Sequence, residues 1–305
     1  MASNDAPHLT AGTHVSALDA LVAALKLEKL GDNLFRGPRA SVGWQRVYGG
    51  QVLGQALSAA TQTVETDRSV HSLHGYFLLA GDPEHDIVYD VERIRDGGSF
   101  TTRRVKAIQH GRAIFTMSAS FHRHEDGYSH QAAMPDAPAP ETLPSAAELI
   151  RRFEAQLPDS IKAYWQRDNP IDMRVVDPSR YISREARPPS QAVWMRANGK
   201  LPPERPIHEA FLAYASDFTL LDTALIAHGK MLFDRDVQLA SIDHAMWFHR
   251  PFKADEWWLY VQESPSASGA RGFCRGLIYD REGALIASTA QEGLMRKRAS
   301  AYTLK

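Results

Sequence analysis

One cysteine, Cys274, stands in 305 residues, so the chain can build neither an internal disulfide nor a CxxC zinc or redox site. That favours a reducing compartment, and the cytoplasm is the expected location. Net charge is nearly absent as well. Lys plus Arg number 35 and Asp plus Glu 36, a formal balance of −1, which gives no overall field for gripping nucleic acid or an anionic membrane. No apolar run approaches the roughly 18–20 residues that span a bilayer. The leader Met1–Thr13 is polar, without a signal peptide's apolar segment, and the end Ala301–Lys305 carries neither a prenylation nor a peroxisomal signal. Familiar catalytic signatures are missing too. There is no GxSxG elbow, and Gly49-Gly50-Gln51-Val52-Leu53-Gly54 is not GxGxxG. His71/His74 and His122/His124 lack a carboxylate partner at metal spacing, so no metal is expected.

What is present is ordinary globular material, 44% hydrophobic and 23% charged, at a length suited to two domains or one large one. Leu18, Leu21, Val22, Leu25 and Leu30 predict an amphipathic helix over Val15–Leu30, stopped by Gly31. A second helical pattern covers Gly50 to about Val64. From His71 to His122 the period becomes two, in three strand-like stretches broken at Gly81-Asp82-Pro83, Asp96-Gly97-Gly98 and His110-Gly111. Nine of the 17 prolines then fall between residues 129 and 190, around a helical piece Ala146–Trp165, which reads as a long connector. Beyond it the pattern restarts: a strand at Val193–Arg196, a helix over Glu209–His228 and a three-stranded meander over 237–295. The landmark pairs His74/His244 and Val91/Val261 are 170 residues apart, and Gly111/Gly283 are 172 apart. The expected fold is therefore α+β, one helix-on-curved-sheet unit written twice. Its boundaries are an N-terminal unit 1–130, a proline-rich connector 131–190 and a C-terminal unit 191–305.

The two copies serve as each other's control. In the last strand of the first, Ala113, Phe115, Met117, Ala119 and Phe121 form the buried face. Adding 172 puts Gln291 inward where the first copy has Ala119. In the helix of the second copy, Asp217, Leu221, Ala224 and His228 make one stripe, and subtracting 168 matches Asp217 to Gly49. Asp217 read alone fits a helix N-cap beside Ser216, and Gln291 alone fits a hydrogen-bonded core amide. Together they change the balance, because an inward carboxylate and an inward amide are costly unless they satisfy each other or a water. Ser241 opens the same meander and adds a hydroxyl.

These segments resemble a known family. Arg46–Leu57, Tyr214-Ala215-Ser216-Asp217, Ser241–Pro251 and Ala287–Arg296 look like acyl-CoA thioesterase II of the bacterial TesB type, in order and over Leu25 to Arg296. The resemblance implies a double hot-dog fold and hydrolysis of fatty acyl-CoA to free acid and CoA. It also implies a water-holding set of aspartate, hydroxyl residue and glutamine, matching Asp217, Ser241 (a serine where many members carry threonine) and Gln291. No cofactor is implied beyond the CoA of the substrate.

Asp217 is then expected to deprotonate a water that Ser241 and Gln291 position. Backbone N–H groups of Gly50 and Gln51, at the start of a helix, are candidate oxyanion donors, although close helix packing explains Gly50 equally well. The phosphates of CoA need local cations, for which Arg271, Arg275 and the Arg103-Arg104 pair are candidates. Two other readings fit the same fold: a non-catalytic acyl-CoA binding protein, and an enoyl-CoA hydratase, to which Asp168–Asp172 bears only a faint likeness. The expected substrates are medium- to long-chain acyl-CoA, and exposed sheets of this kind favour a homodimer or homotetramer.

Overall fold

The computed structural model describes residues 15–39 and 46–298; the polar leader and the C-terminal residues read above lie outside them. The first half contains α1 (Ala17–Leu25), β1 (Glu28–Lys29), β2 (Leu34–Gly37), α2 (Gly49–Thr61), β3 (Arg68–Phe77), β4 (Ile87–Asp96), β5 (Phe100–Gln109) and β6 (Arg112–Arg123). Next come α3 (Ala146–Arg152), α4 (Asp159–Trp165), β7 (Ile171–Val175) and β8 (Ser190–Ala197). The remainder is α5 (Arg205–Ser216), α6 (Thr223–Ile226), β9 (Val237–Ser241), β10 (Asp243–Phe248), β11 (Trp258–Ser268), β12 (Arg271–Asp280) and β13 (Leu285–Lys297).

All thirteen strands join one sheet, ordered β1-β2-β4-β5-β6-β3-β10-β13-β12-β11-β8-β7 with β9 beside β13. The order reads alike from either end, as expected of two copies joined along β3 and β10, where Ala245 faces His74. The landmark pair His74/His244 is thus one residue out of register. Helices α2 and α5 pack side by side against the sheet, and one apolar core, from Leu53 and Phe115 to Phe211 and Ile278, runs through both halves. This is the double hot-dog arrangement. No described helix is long and apolar enough to cross a membrane.

Several elements differ from their sequence expectation. The first helix ends at Leu25 rather than Leu30, because Glu28–Lys29 leave it to pair with Phe35 and Arg36. The first meander has four strands where three were expected, since each of its three breaks is a separate turn. The second is likewise richer, with β9 and β10 divided at Ile242, whose N–H turns to the Glu292 carbonyl. The helical piece Ala146–Trp165 is two short helices, the first closed by a Ser145–Glu148 capping box. The connector also supplies β7, which extends the sheet beyond β8.

The largest difference concerns the helix expected over Glu209–His228. It stops at Ser216, and a turn with Thr219 at φ 61° separates it from α6. Asp217 is therefore the C-cap of α5, not an N-cap, and Ser216 turns its hydroxyl back onto the Ala213 carbonyl at 2.9 Å.

Candidate active site

A carboxylate at a helix C-terminus faces the negative end of that helix's dipole. Asp217 is compensated from the other half of the molecule, because the end of α5 lies against the start of α2. The Gly50 N–H donates to its carboxylate, at the positive end of α2. A Cβ on Gly49 would come within 2.8 Å of Asp217 Oδ2. The offset of 168 that matched Asp217 to Gly49 does not hold in the structure: Gly49 opens α2 whereas Asp217 caps the far end of α5, so the two are neighbours across the junction and not counterparts.

Gln291 of β13 is fully buried and completes the cluster. Its Nε2 donates to Asp217 Oδ1 at 2.7 Å and to Ser241 Oγ at 3.0 Å. Ser241 arrives at the end of β9, opposite Gly293. One amide thereby sets the separation of a carboxylate and a hydroxyl. Its own Oε1 is buried with no partner among the described residues, a costly arrangement unless another donor meets it. Burial pushes the Asp217 carboxyl above its ordinary value, while the hydrogen bonds from Gln291 and Gly50 pull it down. The result is a base held stronger than an exposed aspartate.

The turn bearing Asp217 is clamped by polar groups that sequence reasoning missed. Gln262, buried on β11, donates to the Phe218 carbonyl at 3.3 Å and to Thr219 Oγ1 at 2.9 Å. Gln191 of β8 donates to the Thr219 carbonyl at 2.9 Å and to Gln262 Oε1 at 2.7 Å. Tyr260 donates to the Ser216 carbonyl at 2.9 Å. His244, which burial drives down to about 3, pairs with Ser216 Oγ at 2.9 Å as a neutral ring. A signal existed for Gln262: it continues the inward alternation of Trp258 and Tyr260, as Gln291 continues that of β13.

Asp217 and Ser241 open on a cavity of about 320 Å³. Its walls are largely aromatic and aliphatic, with Tyr48, Tyr214 and Phe218 on one side and Leu221 and Leu239 on another. The far wall comes from the connector: Ile161, Tyr164 and Trp165 of α4, with Met173 and Tyr181. Trp165 and Tyr181 meet edge to face with centroids 4.8 Å apart. A segment read from the sequence as a proline-rich connector thus supplies one wall of the pocket.

The other candidates are placed differently. Gly50 spends its N–H on Asp217, and the Gln51 N–H points to the Tyr48 carbonyl at 3.1 Å. Gln51 does line the cavity. Gly50 also packs so closely that a Cβ would lie 2.2 Å from the Tyr214 carbonyl oxygen, so the packing explanation applies to it as well. Arg271 and Arg275 do not line the cavity; on the exposed side of β12 they pair with Glu292 at 2.9 Å and Glu263 at 2.5 Å. Arg103 is buried and bonds Thr63 and Asp96, while Arg104 pairs with Glu92 on the surface. The cations that do line the cavity are Arg46 and Arg180, the latter held by Asp222 at 3.4 Å. Cys274 is buried and unpaired, and burial raises its thiol to about 11, as expected of a packed side chain.

Comparison with known proteins finds relatives over nearly the whole chain. A family model described as acyl-CoA thioesterase matches residues 170–294, and one described as its N-terminal domain matches residues 36–122. Acyl-CoA thioesterase 2 of Haemophilus influenzae is 40% identical over 279 residues, covering 92% of this chain and 98% of that protein. Human acyl-coenzyme A thioesterase 8 is 40% identical over 287 residues, covering 90% and 88%. Among solved structures, acyl-CoA thioesterase II TesB2 from Mycobacterium marinum superposes with a TM-score of 0.75 at 44% identity, covering 92% of this chain and 99% of that one. A hot-dog protein from Alicyclobacillus acidocaldarius, 21% identical with a TM-score of 0.73 and covering 92% and 99%, shares the fold.

Proposed function

Because the chain belongs to the acyl-CoA thioesterase family and hydrolyses acyl-CoA thioesters, we propose that it acts on medium- to long-chain substrates through a water activated by Asp217, with Ser241 and Gln291 positioning it. The observation that carries this reading is the Asp217–Gln291–Ser241 chain opening on an apolar cavity. Asp217 takes a proton from water as the oxygen attacks the thioester carbon. The tetrahedral intermediate expels CoA as thiolate, to which the Asp217 carboxyl returns the proton. Ser241 accepts from Gln291 and so keeps its own O–H to donate to the water. An oxyanion forming beside the start of α2 meets the positive end of that helix's dipole and not free N–H donors, since the Gly50 and Gln51 N–H groups are already engaged.

Gln291→Ala is expected to lower kcat by about 10²-fold while leaving KM nearly unchanged, since the amide holds reacting groups rather than substrate. Loss of its hydrogen bond also moves the acid limb of the pH–rate profile to higher pH, because that bond lowers the Asp217 carboxyl. A raised KM at unchanged kcat contradicts the assignment.

The acyl chain would run toward Trp165 and Tyr181. Rates of CoA release measured from butanoyl-CoA to icosanoyl-CoA are expected to peak in the medium to long range. Trp165→Ala moves that peak to longer chains by opening the far wall; a profile unmoved by this change excludes the connector as the stop.

The outer face of the sheet exposes Tyr76, Ile94, Phe100, Trp247 and Phe273, a surface suited to pairing with another copy. This supports a homodimer or homotetramer, and light scattering that returns the monomer mass at micromolar concentration rules it out.

A further inference from the structure

The sheet register defines a pseudo-twofold axis between β3 and β10, where His74 faces Ala245. Across this axis Ser241, opposite Gly293, corresponds to Val70, opposite Phe121. Gln291 corresponds to Ala119, and Asp217, capping α5, corresponds to the Thr61-Gln62 end of α2. The opposite end of the paired helices therefore lacks all three reacting groups.

It has not lost its cavity. A cleft of about 730 Å³ opens there, larger than the 320 Å³ beside Asp217. Its walls come from the corresponding segments. Ser69 and Val70 stand where Ala240 and Ser241 stand in the other cavity, and the lead into α5 replaces the lead into α2. An empty remnant of duplication would be expected to fill with side chains, as interiors do.

The lining charge differs: the cavity beside Asp217 balances Arg46 and Arg180 against Asp217 and Asp222, whereas the cleft is positive. Among the described residues, Lys200, Arg205, Arg250 and Lys253 line the cleft with two carboxylates, Glu209 and Asp255, and five histidines. Lys200 contacts Asp255, Arg205 contacts Glu209 and Lys253 contacts Glu256 outside the lining, each at 3.3 Å. Arg250 bonds the Leu285 carbonyl, which leaves its charge uncancelled. His208 is buried and accepts the Ala254 N–H at Nδ1, so its proton sits on Nε2, a further donor. Burial lifts Glu209 to about 7 against the pull of Arg205, which weakens its repulsion of an anion.

We propose that this cleft is a second, chemically silent site that binds the nucleoside-diphosphate portion of a CoA-type ligand. The ligand class follows from two observations together: the cleft is the symmetry mate of a site for acyl-CoA, and its surplus charge is positive. The inference rests on the assignment of Asp217, Ser241 and Gln291 to the reacting site.

Calorimetric titration of the full chain with CoA and, separately, with ADP tests it. The paired change Lys200→Gln with Lys253→Glu alters side chains that are 85% and 68% exposed, so native melting is expected. The wild-type chain should bind two equivalents of CoA and the variant one. ADP should bind the wild type and lose at least about tenfold in affinity in the variant, the loss of one charge-assisted hydrogen bond. The maximal hydrolysis rate should not change. ADP binding as tightly as CoA assigns the site to nucleotides in general, whereas tighter CoA assigns it to a second CoA; both uphold the proposal. A single equivalent of CoA in both proteins, or ADP affinity equal in the two, overturns it. Were Asp217→Asn to hydrolyse at the wild-type rate, the reacting-site assignment would fall while a two-equivalent titration still stood.

Discussion

Asp217→Asn is expected to lower kcat by about 10²–10⁴-fold, the usual contribution of a positioned general base, with the fold retained. Asparagine keeps the shape of the side chain and one acceptor, but it cannot take a proton from water. The wild-type pH profile supplies the second measurement. Burial raises the Asp217 carboxyl above its ordinary value, and only the ionised form accepts a proton. Activity should therefore rise with pH through a window above that of an exposed aspartate, and be flat beyond it. Linkage has the opposite sense for stability. A folded-state value raised above the unfolded one favours the native state at low pH, and this contribution fades as pH climbs through the raised value. In Asp217→Asn that dependence disappears. Turnover close to wild type would end the general-base assignment, whatever the stability did.

The second large effect is structural. In Gly50→Ala the new Cβ would stand 2.2 Å from the Tyr214 carbonyl oxygen and 2.5 Å from Tyr48 Cε1. A backbone oxygen inside a packed helix cannot swing aside, so α2 and α5 must separate. Alanine gains about 1 kcal/mol over glycine in helix propensity, yet overpacking costs about 1–3 kcal/mol, so the net change is destabilising. Activity should fall further than stability, because Gly50 N–H is one of the groups that hold Asp217. Gly98→Ala serves as the control, since a Cβ there meets nothing within 4 Å. Denaturant midpoints and kcat for the two variants decide the matter; a Gly50→Ala protein as stable and active as wild type would show that the helices are not in contact.

Much of this was legible beforehand, for identifiable reasons. Strand alternation is a local property with a period of two, so Gln291 could be assigned to the buried face from β13 alone. The offset between copies then marked it as polar where Ala119 is apolar. Helix ends are less local. Asp217 fits an N-cap by composition, and an uninterrupted apolar stripe through Leu221, Ala224 and His228 hides the turn at Thr219. That turn is stabilised by Gln262 and Gln191, from strands about 30 to 45 residues away in sequence, which no window around Asp217 contains. The arginines were misjudged for a related reason. Charge on a strand is easy to read, but whether Arg271 meets a ligand or Glu292 depends on the neighbouring strand.

By itself the sequence determined the repeat, the fold class and the identity of the three polar residues that differ from their surroundings. Periodicity supplied the repeat and the inward Gln291, and residue type with the family resemblance singled out Asp217 and Ser241, all of it information carried along the chain. Only the tertiary structure decided that Asp217 is stabilised by the other unit's helix, that the connector walls the cavity beside it, and that a second cleft lies across the pseudo-twofold axis. Each of these depends on contact between segments distant in sequence, where packing distances of a few tenths of an ångström separate a hydrogen bond from a collision.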